Sequence, residues 1–88
     1  MADKQPAGGN SAEAVLDLHG KNKYQARIAI EAALRRSKGL YRIRVIHGCH
    51  SGTALKDMIW SEYGSDPRVK RLLAASENAT DLVLRELY

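Results

Sequence analysis

The chain has 88 residues, of which 44% are hydrophobic and 27% charged, and its formal net charge is +4. A chain of this length forms one domain with a small core, which excludes a deep substrate cavity. It contains no apolar run of the roughly 20 residues that cross a membrane, and no charged leader followed by an apolar stretch, so we expect neither a membrane span nor a secretory signal. The single cysteine, Cys49, excludes an intramolecular disulfide and favours a reducing, cytoplasmic location.

Positive charge is concentrated in one part of the chain. Eight Lys and Arg residues lie between positions 21 and 44, and Glu31 is the only acid among them. A cluster of this kind favours a polyanionic partner, most often a nucleic acid. A solubilising surface is the alternative, and the net charge by itself does not separate the two.

The first half of the chain predicts a tail, a strand and a helix. Residues 1–13 are small and polar and predict a disordered tail, followed by a folded domain over residues 14–88. The apolar run over residues 14–18 is closed by His19-Gly20 and predicts a strand. Asn22 is suited to the N-cap of a helix over residues 23–38, and Gly39 to its C-cap.

The second half predicts a strand, a helix and a hairpin. Residues 40–46 alternate and are rich in β-branched side chains, which predicts a strand. Thr53 is suited to cap a second helix that ends at Gly64. Two further strands are predicted over residues 68–75 and 80–87, joined by a turn of residues 76–79.

The element order β-α-β-α-β-β predicts a two-layer α/β sandwich, with a four-stranded mixed sheet and two helices on one face. The strand–helix–strand unit favours a parallel pair, and the last two strands an antiparallel hairpin. Alternation then assigns side chains to the face that the helices leave open. These are Asp17, with His19 continuing on that side, and Arg42, Arg44 and Arg85.

Two His-Gly corners are expected at one edge of the sheet. His19-Gly20 follows the first strand and His47-Gly48 the second, and the carboxyl ends of parallel strands lie together. The second helix begins at the same edge, where its amides and dipole would accept a phosphate and the glycines would allow close backbone approach. A plain β–α corner that needs glycine is the alternative.

A metal centre is less favoured at this edge. His47, Cys49 and His50 could supply ligands, together with His19, but structural zinc sites use four ligands at characteristic paired spacings that are missing here. We therefore expect no cofactor. The spacing does not indicate a divalent ion, although it does not settle whether one is needed for catalysis. A thiol enzyme is also disfavoured, because no third member of a Cys-His set is evident.

The segments LDLHG (residues 16–20), RVIHG (44–48), ALKDMI (54–59) and DPRV (66–69), with a basic helix between the first two, resemble the Smr, or small MutS-related, domain family. The resemblance runs from about residue 16 to residue 87. It implies an α/β sandwich like the C-terminal domain of translation initiation factor three, and nucleic-acid binding. Some members nick DNA or cut RNA, whereas others act on mRNA and on stalled ribosomes.

The resemblance also implies site residues. The family's Asp-x-His motif corresponds to Asp17 and His19, and its His-Gly-x-Gly loop begins with His47 and Gly48. The sequence departs from the family at three places. His50 replaces the last glycine of the loop, the turn over residues 76–79 has no glycine, and Lys21 occupies a place that is often apolar.

Three functions follow. The first is binding of RNA or structured DNA, on the ribosome or alone, by a monomer. The second is an endonuclease in which Asp17, His19 and His47 are catalytic, although Asp17 could instead merely pair with Arg44. The third is a non-catalytic adaptor. The residues expected to bind nucleic acid are Lys21, Lys23, Arg42, Arg44, Gly48, His50, Ser51, Gly52, Thr53, Lys56 and Arg85.

Overall fold

Four strands and two helices follow one another in the predicted order β-α-β-α-β-β in the computed structural model, which describes residues 13–37, 39–49 and 52–85. Neither helix in these ranges is long and apolar enough to cross a bilayer. The elements are β1 (Glu13–Asp17), α1 (Lys23–Arg36), β2 (Arg42–Ile46), α2 (Ala54–Tyr63), β3 (Arg71–Ser76) and β4 (Ala79–Val83).

The strands form one mixed sheet in the order β1-β2-β4-β3. β1 and β2 are parallel, with Asp17 opposite Ile46, and β4 pairs antiparallel with both β2 and β3. The parallel pair and the terminal hairpin are therefore confirmed. The sequence did not indicate that β4, the last described strand, would lie between β2 and β3.

One hydrophobic core joins both helices to one face of the sheet. Ile43, Val45 and Leu82 on that face are fully buried. Ile30 of α1 and Ile59 of α2 are also fully buried and belong to the same cluster. The predicted two-layer sandwich is thus confirmed, with its core between the sheet and the helices.

The N-terminus of α1 is closed by a capping box. The Asn22 side chain accepts a hydrogen bond from the Gln25 amide at 2.8 Å, and the Gln25 side chain accepts one from the Asn22 amide at 3.0 Å. The other end differs from the prediction: Ser37, not Gly39, is the C-cap. The helix stops earlier because the Ser37 amide bonds to the Leu34 carbonyl and its hydroxyl bonds to the Ala33 carbonyl.

Both strands of the hairpin are shorter than predicted. β3 begins at Arg71 rather than at residue 68, because the Asp66 carboxylate accepts bonds from the Arg68 amide and guanidinium and holds that segment in a turn. β4 ends at Val83, so Arg85 lies beyond the strand. Residues 86 and 87 of the predicted fourth strand and most of the predicted tail lie outside the described residues.

Candidate functional site

The two His-Gly corners meet at the carboxyl edge of β1 and β2. The parallel pairing continues past β1, since the Leu18 amide donates to the Ile46 carbonyl at 2.7 Å. Gly48 has a φ of +77°, and a Cβ built on it would lie 3.5 Å from the Cβ of His19. A glycine is favoured here by this left-handed conformation, and the two corners touch.

Asp17 and His19 form a hydrogen-bonded pair at this edge. The Nδ1 of His19 lies 2.7 Å from Asp17 Oδ1, and the same oxygen accepts the His19 amide at 3.1 Å. These bonds lower the pKa of Asp17 below its ordinary value. Because a carboxylate only accepts, Nδ1 is the donor, which leaves Nε2 as the ring nitrogen that can reach a ligand. The His19 side chain is 73% exposed.

His47 is built into the fold at the second corner. The residue is only 6% exposed, and both of its ring nitrogens have partners: Nδ1 lies 3.0 Å from the Gly48 carbonyl oxygen and Nε2 lies 3.0 Å from Thr80 Oγ1. The indole N–H of Trp60 donates to the same hydroxyl at 3.1 Å. His47 is therefore buried with both ring nitrogens hydrogen-bonded, whereas His19 is open to solvent.

A pocket of about 450 Å³ lies beside the pair. It is bounded on one side by the segment that enters α1 and on the other by the segment that enters α2. The lining residues are His19, Gly20, Lys21, Asn22, Lys23, His47, Gly48, Cys49, Gly52, Ala54 and Leu55. Both corners and two predicted phosphate-binding lysines are thus brought to one cavity.

The predicted anion cradle is only partly available. The amides of His47 and Gly48 both donate to the Asn78 carbonyl, at 2.8 and 3.0 Å, so neither is free for a phosphate. Thr53 stands at the N-cap of α2 without a side-chain capping bond, and its hydroxyl donates instead to Asp57. The Asp57 charge in the first turn weakens the attraction of this helix end for an anion. His50 and Ser51, also predicted to bind, lie outside the described residues.

The arginines of the open face are held by carboxylates. Arg44 makes two bonds to Asp81, at 2.8 and 3.0 Å, and this pairing raises the pKa of Arg44. Arg42 bonds to Glu13 at 2.8 Å and to Asp81 at 3.2 Å. The alternative in which Arg44 pairs with Asp17 is therefore wrong. Sequence reasoning missed Asp81, although alternation from the inward-facing Leu82 would have placed it on this face.

Other predicted contact residues lie apart from the pocket. Arg85 bonds to the Gly39 carbonyl at 3.4 Å, before the start of β2 and therefore at the opposite end of the sheet. Lys56 lies in the first turn of α2, and its side chain does not line the pocket. Of the predicted lysines and arginines, the structure thus brings Lys21 and Lys23 to the paired histidine and not the others.

The described residues contain no group of three or more His, Cys, Asp or Glu side chains placed to hold a metal ion. Cys49 is exposed and lines the pocket. His50, the nearest further candidate ligand in the sequence, is outside the described ranges.

Comparison with known proteins identifies the family. The family model "Smr domain" matches residues 16–81, three quarters of the chain. The chain belongs to the Smr domain family. Smr domains are generally nucleic-acid-binding, nuclease-like modules.

A solved structure supports the assignment of this Smr domain. The Smr domain of Thermus thermophilus MutS2 superposes with a TM-score of 0.74 at 28% sequence identity, covering 83% of this chain and 99% of that one. A search of curated proteins found no significant match. The resemblance noted in the LDLHG and RVIHG segments and the predicted fold are thereby confirmed.

Proposed function

We propose that this Smr domain binds the sugar-phosphate backbone of RNA or structured DNA in the pocket at the carboxyl edge, and that His19, held by Asp17, acts on a phosphodiester there. The observation that carries the proposal is the 2.7 Å contact between Asp17 and His19 at a pocket lined by Lys21 and Lys23. An oriented imidazole beside two cations supports the proposal that one nucleic-acid strand binds here.

The two lysines supply the attraction for a polyanion. Neither makes an ion pair within 4.0 Å with another described residue, unlike Arg42 and Arg44. Cations that are free before binding neutralise phosphates and release counterions, which makes the affinity fall with salt. Recognition by this pocket is therefore expected to follow backbone geometry rather than base sequence.

The Asp17–His19 pair supplies the chemistry. Nε2 of His19 accepts the proton of an attacking hydroxyl, from water or from the 2′ position of RNA, while that oxygen forms a bond to phosphorus. The bond from phosphorus to the leaving oxygen breaks, and water protonates that oxygen. Asp17 fixes the ring through Nδ1 and stabilises the imidazolium that forms, and a nearby lysine offsets the charge on the phosphoryl oxygens. We assign His47, with both nitrogens occupied, a supporting role.

Binding is tested with a matched pair of double variants. Lys21→Ala with Lys23→Ala removes two charges at the pocket, and Arg35→Ala with Arg36→Ala removes two exposed charges from the last turn of α1. For labelled RNA hairpins and branched DNA titrated over a salt series, the first variant should lower the salt slope by about two, one for each lysine. The arginine variant should leave the slope nearly unchanged, and equal losses in both would count against the pocket.

Cleavage is tested on the same substrates with Asp17→Asn and His19→Ala. Loss of the histidine should lower the rate by about 10²–10⁴-fold, the usual contribution of a general base, while binding is retained. Asp17→Asn should lower it less, since the ring remains but is poorly oriented. The assay is run with and without divalent ions. Identical residual cleavage in all three proteins would identify a contaminating nuclease.

An adaptor role has one observation in its favour. Tyr24 and Ile28, one turn apart on α1, are 69% and 53% exposed, which is unusual for side chains of this size. Tyr24→Ala with Ile28→Ala should abolish association with a protein partner from nuclease-treated lysate while leaving nucleic-acid affinity intact. Retained association would remove this reason for the adaptor hypothesis.

A further inference from the structure

Thr80 bonds to His47 and Trp60 bonds to Thr80, and neither Trp60 nor Thr80 lines the pocket. We infer that these two are positioning residues, which fix the His47 ring and, through Gly48, the place of His19. The hydrogen bonds of this arrangement are observed directly in the structure. Their importance for nucleic-acid binding rests on the proposed function. Neither side chain was singled out from the sequence for this role.

The chemistry of the partners fixes which group donates and which accepts in each hydrogen bond of the network. The Trp60 indole N–H can only donate, so Thr80 Oγ1 accepts it at 3.1 Å. The Gly48 carbonyl can only accept, so His47 Nδ1 carries a proton and donates at 3.0 Å. The Thr80 hydroxyl proton is then directed to His47 Nε2, 3.0 Å away. His47 is thereby held as the tautomer with its proton on Nδ1.

The part of the network around His47 and Thr80 is buried, whereas Trp60 is 39% exposed. Thr80 is 0% and His47 6% exposed, and no buried side-chain nitrogen or oxygen among the described residues lacks a partner. A polar chain with every member satisfied rigidifies its surroundings, while loss of one member leaves a buried acceptor without a donor. Thr80 is on the central strand β4 and Trp60 is on α2, so the network ties two elements to the corner after β2.

Gly48 transmits this constraint to the pocket. Its carbonyl is fixed by His47 and its amide by Asn78, and its α-carbon faces the side chain of His19. The corner cannot shift without disturbing one of these contacts. His19 is anchored by Asp17, and the Gly48 corner runs beside the base of its side chain, which limits how far His19 can move toward that corner.

Imidazole ¹⁵N NMR of the folded protein tests the inference without any nucleic acid. The wild type should show a slowly exchanging Nδ1–H on His47 and an unprotonated, hydrogen-bonded Nε2. Thr80→Val keeps the shape but removes the hydroxyl, so the Nε2 signal should move, the Nδ1–H should exchange faster, and the His19 ring signals should shift. Thr80→Ser should restore the wild-type pattern, and Trp60→Phe should give a smaller change in the same direction.

A control variant separates positioning from general destabilisation. Tyr63→Phe, on the same helix as Trp60, removes a hydroxyl that donates to Glu31 at 2.9 Å and takes no part in the network. It should lower stability without altering either histidine spectrum. A proton on Nε2 of wild-type His47, or spectra of Thr80→Val identical to those of the wild type, would overturn the inference.

Binding of the RNA hairpin connects the network to the proposed function. Thr80→Val should weaken binding severalfold, because His47 and Gly48, which line the pocket, are then less firmly held, and Thr80→Ser should recover the affinity. Changed histidine spectra with unchanged affinity would overturn the role in binding. If the wild type bound no nucleic acid while the spectra changed as expected, the proposed function would fail and the positioning of His19 would stand.

Discussion

Cationic side chains are placed differently at the carboxyl edge of the sheet and on its open face. At the edge, Lys21 and Lys23 line a pocket and make no ion pair with another described residue. On the open face, Arg42 and Arg44 converge on Asp81, whose side chain is only 2% exposed, and Arg42 also reaches a second carboxylate. The cations at the edge are thus available to bind an anion, whereas Arg42 and Arg44 on the open face are already paired with carboxylates.

The contrast shows why a cluster of basic residues in a sequence is not yet a binding surface. The guanidiniums of Arg42 and Arg44 are matched by the carboxylates of Glu13 and Asp81, so these four charges cancel. A phosphate would have to displace a carboxylate that is already desolvated. At the edge, neither lysine is held in an ion pair with another described residue, so a phosphate has no carboxylate to displace there and gains from the release of counterions.

The largest effect is expected on the open face. Asp81→Ala leaves Arg42 and Arg44 without their shared partner, and it should destabilise the fold by about 2–3 kcal/mol. This is less than the roughly 3–5 kcal/mol typical of a fully buried pair, because both guanidiniums are partly in solvent. Urea denaturation measures the change.

The RNA affinity of the same Asp81→Ala variant is the second measurement. Conditions that keep the Asp81→Ala variant folded should show unchanged or tighter RNA binding, since two arginines have been freed. Weaker binding by the folded variant would indicate that the paired open face is itself the contact surface, and the distinction drawn between the two regions would be lost.

A matched pair of glycines gives a smaller effect. Gly48 at the edge and Gly39 at the other end of β2 have φ values of +77° and +87°. Alanine at either position should cost about 1 kcal/mol, because the left-handed conformation is unfavourable for a side chain. Thermal denaturation should show similar decreases in stability for the two variants.

Only one of the two glycine variants should affect binding. The new methyl group of Gly48→Ala would lie 3.5 Å from the Cβ of His19 and take up room in the wall of the pocket, whereas a Cβ at Gly39 meets nothing within 4 Å. Gly48→Ala should therefore weaken RNA binding and Gly39→Ala should not. Equal affinities of the two variants would mean that RNA does not bind in the pocket at this edge.

The smallest effect is a change in one pKa. The bonds from His19 lower the pKa of Asp17 from its ordinary value of 3.8, so His19→Ala should raise it back toward 3.8. Arg44→Gln should leave it unchanged, because Arg44 bonds to Asp81. Carboxyl ¹³C NMR over an acid titration measures both, and a response to Arg44→Gln would contradict the separation of edge and face.

The sign of the related stability change follows from the same shift. Between the lowered pKa of folded Asp17 and its ordinary value of 3.8, the unfolded chain binds more protons than the folded one. The interaction with His19 therefore stabilises the fold at pH values above 3.8, and this contribution is lost as the pH falls through the lowered value. His19→Ala should remove that part of the acid dependence.

Local patterns were sufficient for much of the fold. Alternation around Ile43 and Val45 identified a strand and its buried side, and Asn22 marked the start of a helix because its side chain can bond a first-turn amide. The His-Gly corners were brought together by the rule that parallel strands share a carboxyl edge. These features depend on residues that are close in the chain or on a general property of βαβ units.

The features that were missed depend on partners far along the chain. Arg44 and Asp81 meet only because β4 lies beside β2, and no sequence pattern near either residue indicates that pairing. His47 is buried and bonds to Thr80, which in turn accepts a bond from Trp60, and its own neighbours in the sequence do not indicate these partners. The late start of β3 reflects bonds from the Asp66 side chain, which compete with strand pairing.

The position of β4 has a consequence for how the chain is made. During synthesis β1, β2 and β3 all emerge before β4, yet β3 pairs with β4 and not with β2. Until Val83 has left the ribosomal tunnel, β2 exposes an unpaired edge and β3 lacks its neighbour in the sheet. The domain is therefore expected to remain open and vulnerable to proteases on the nascent chain, and to close in a single late step after translation has passed this strand.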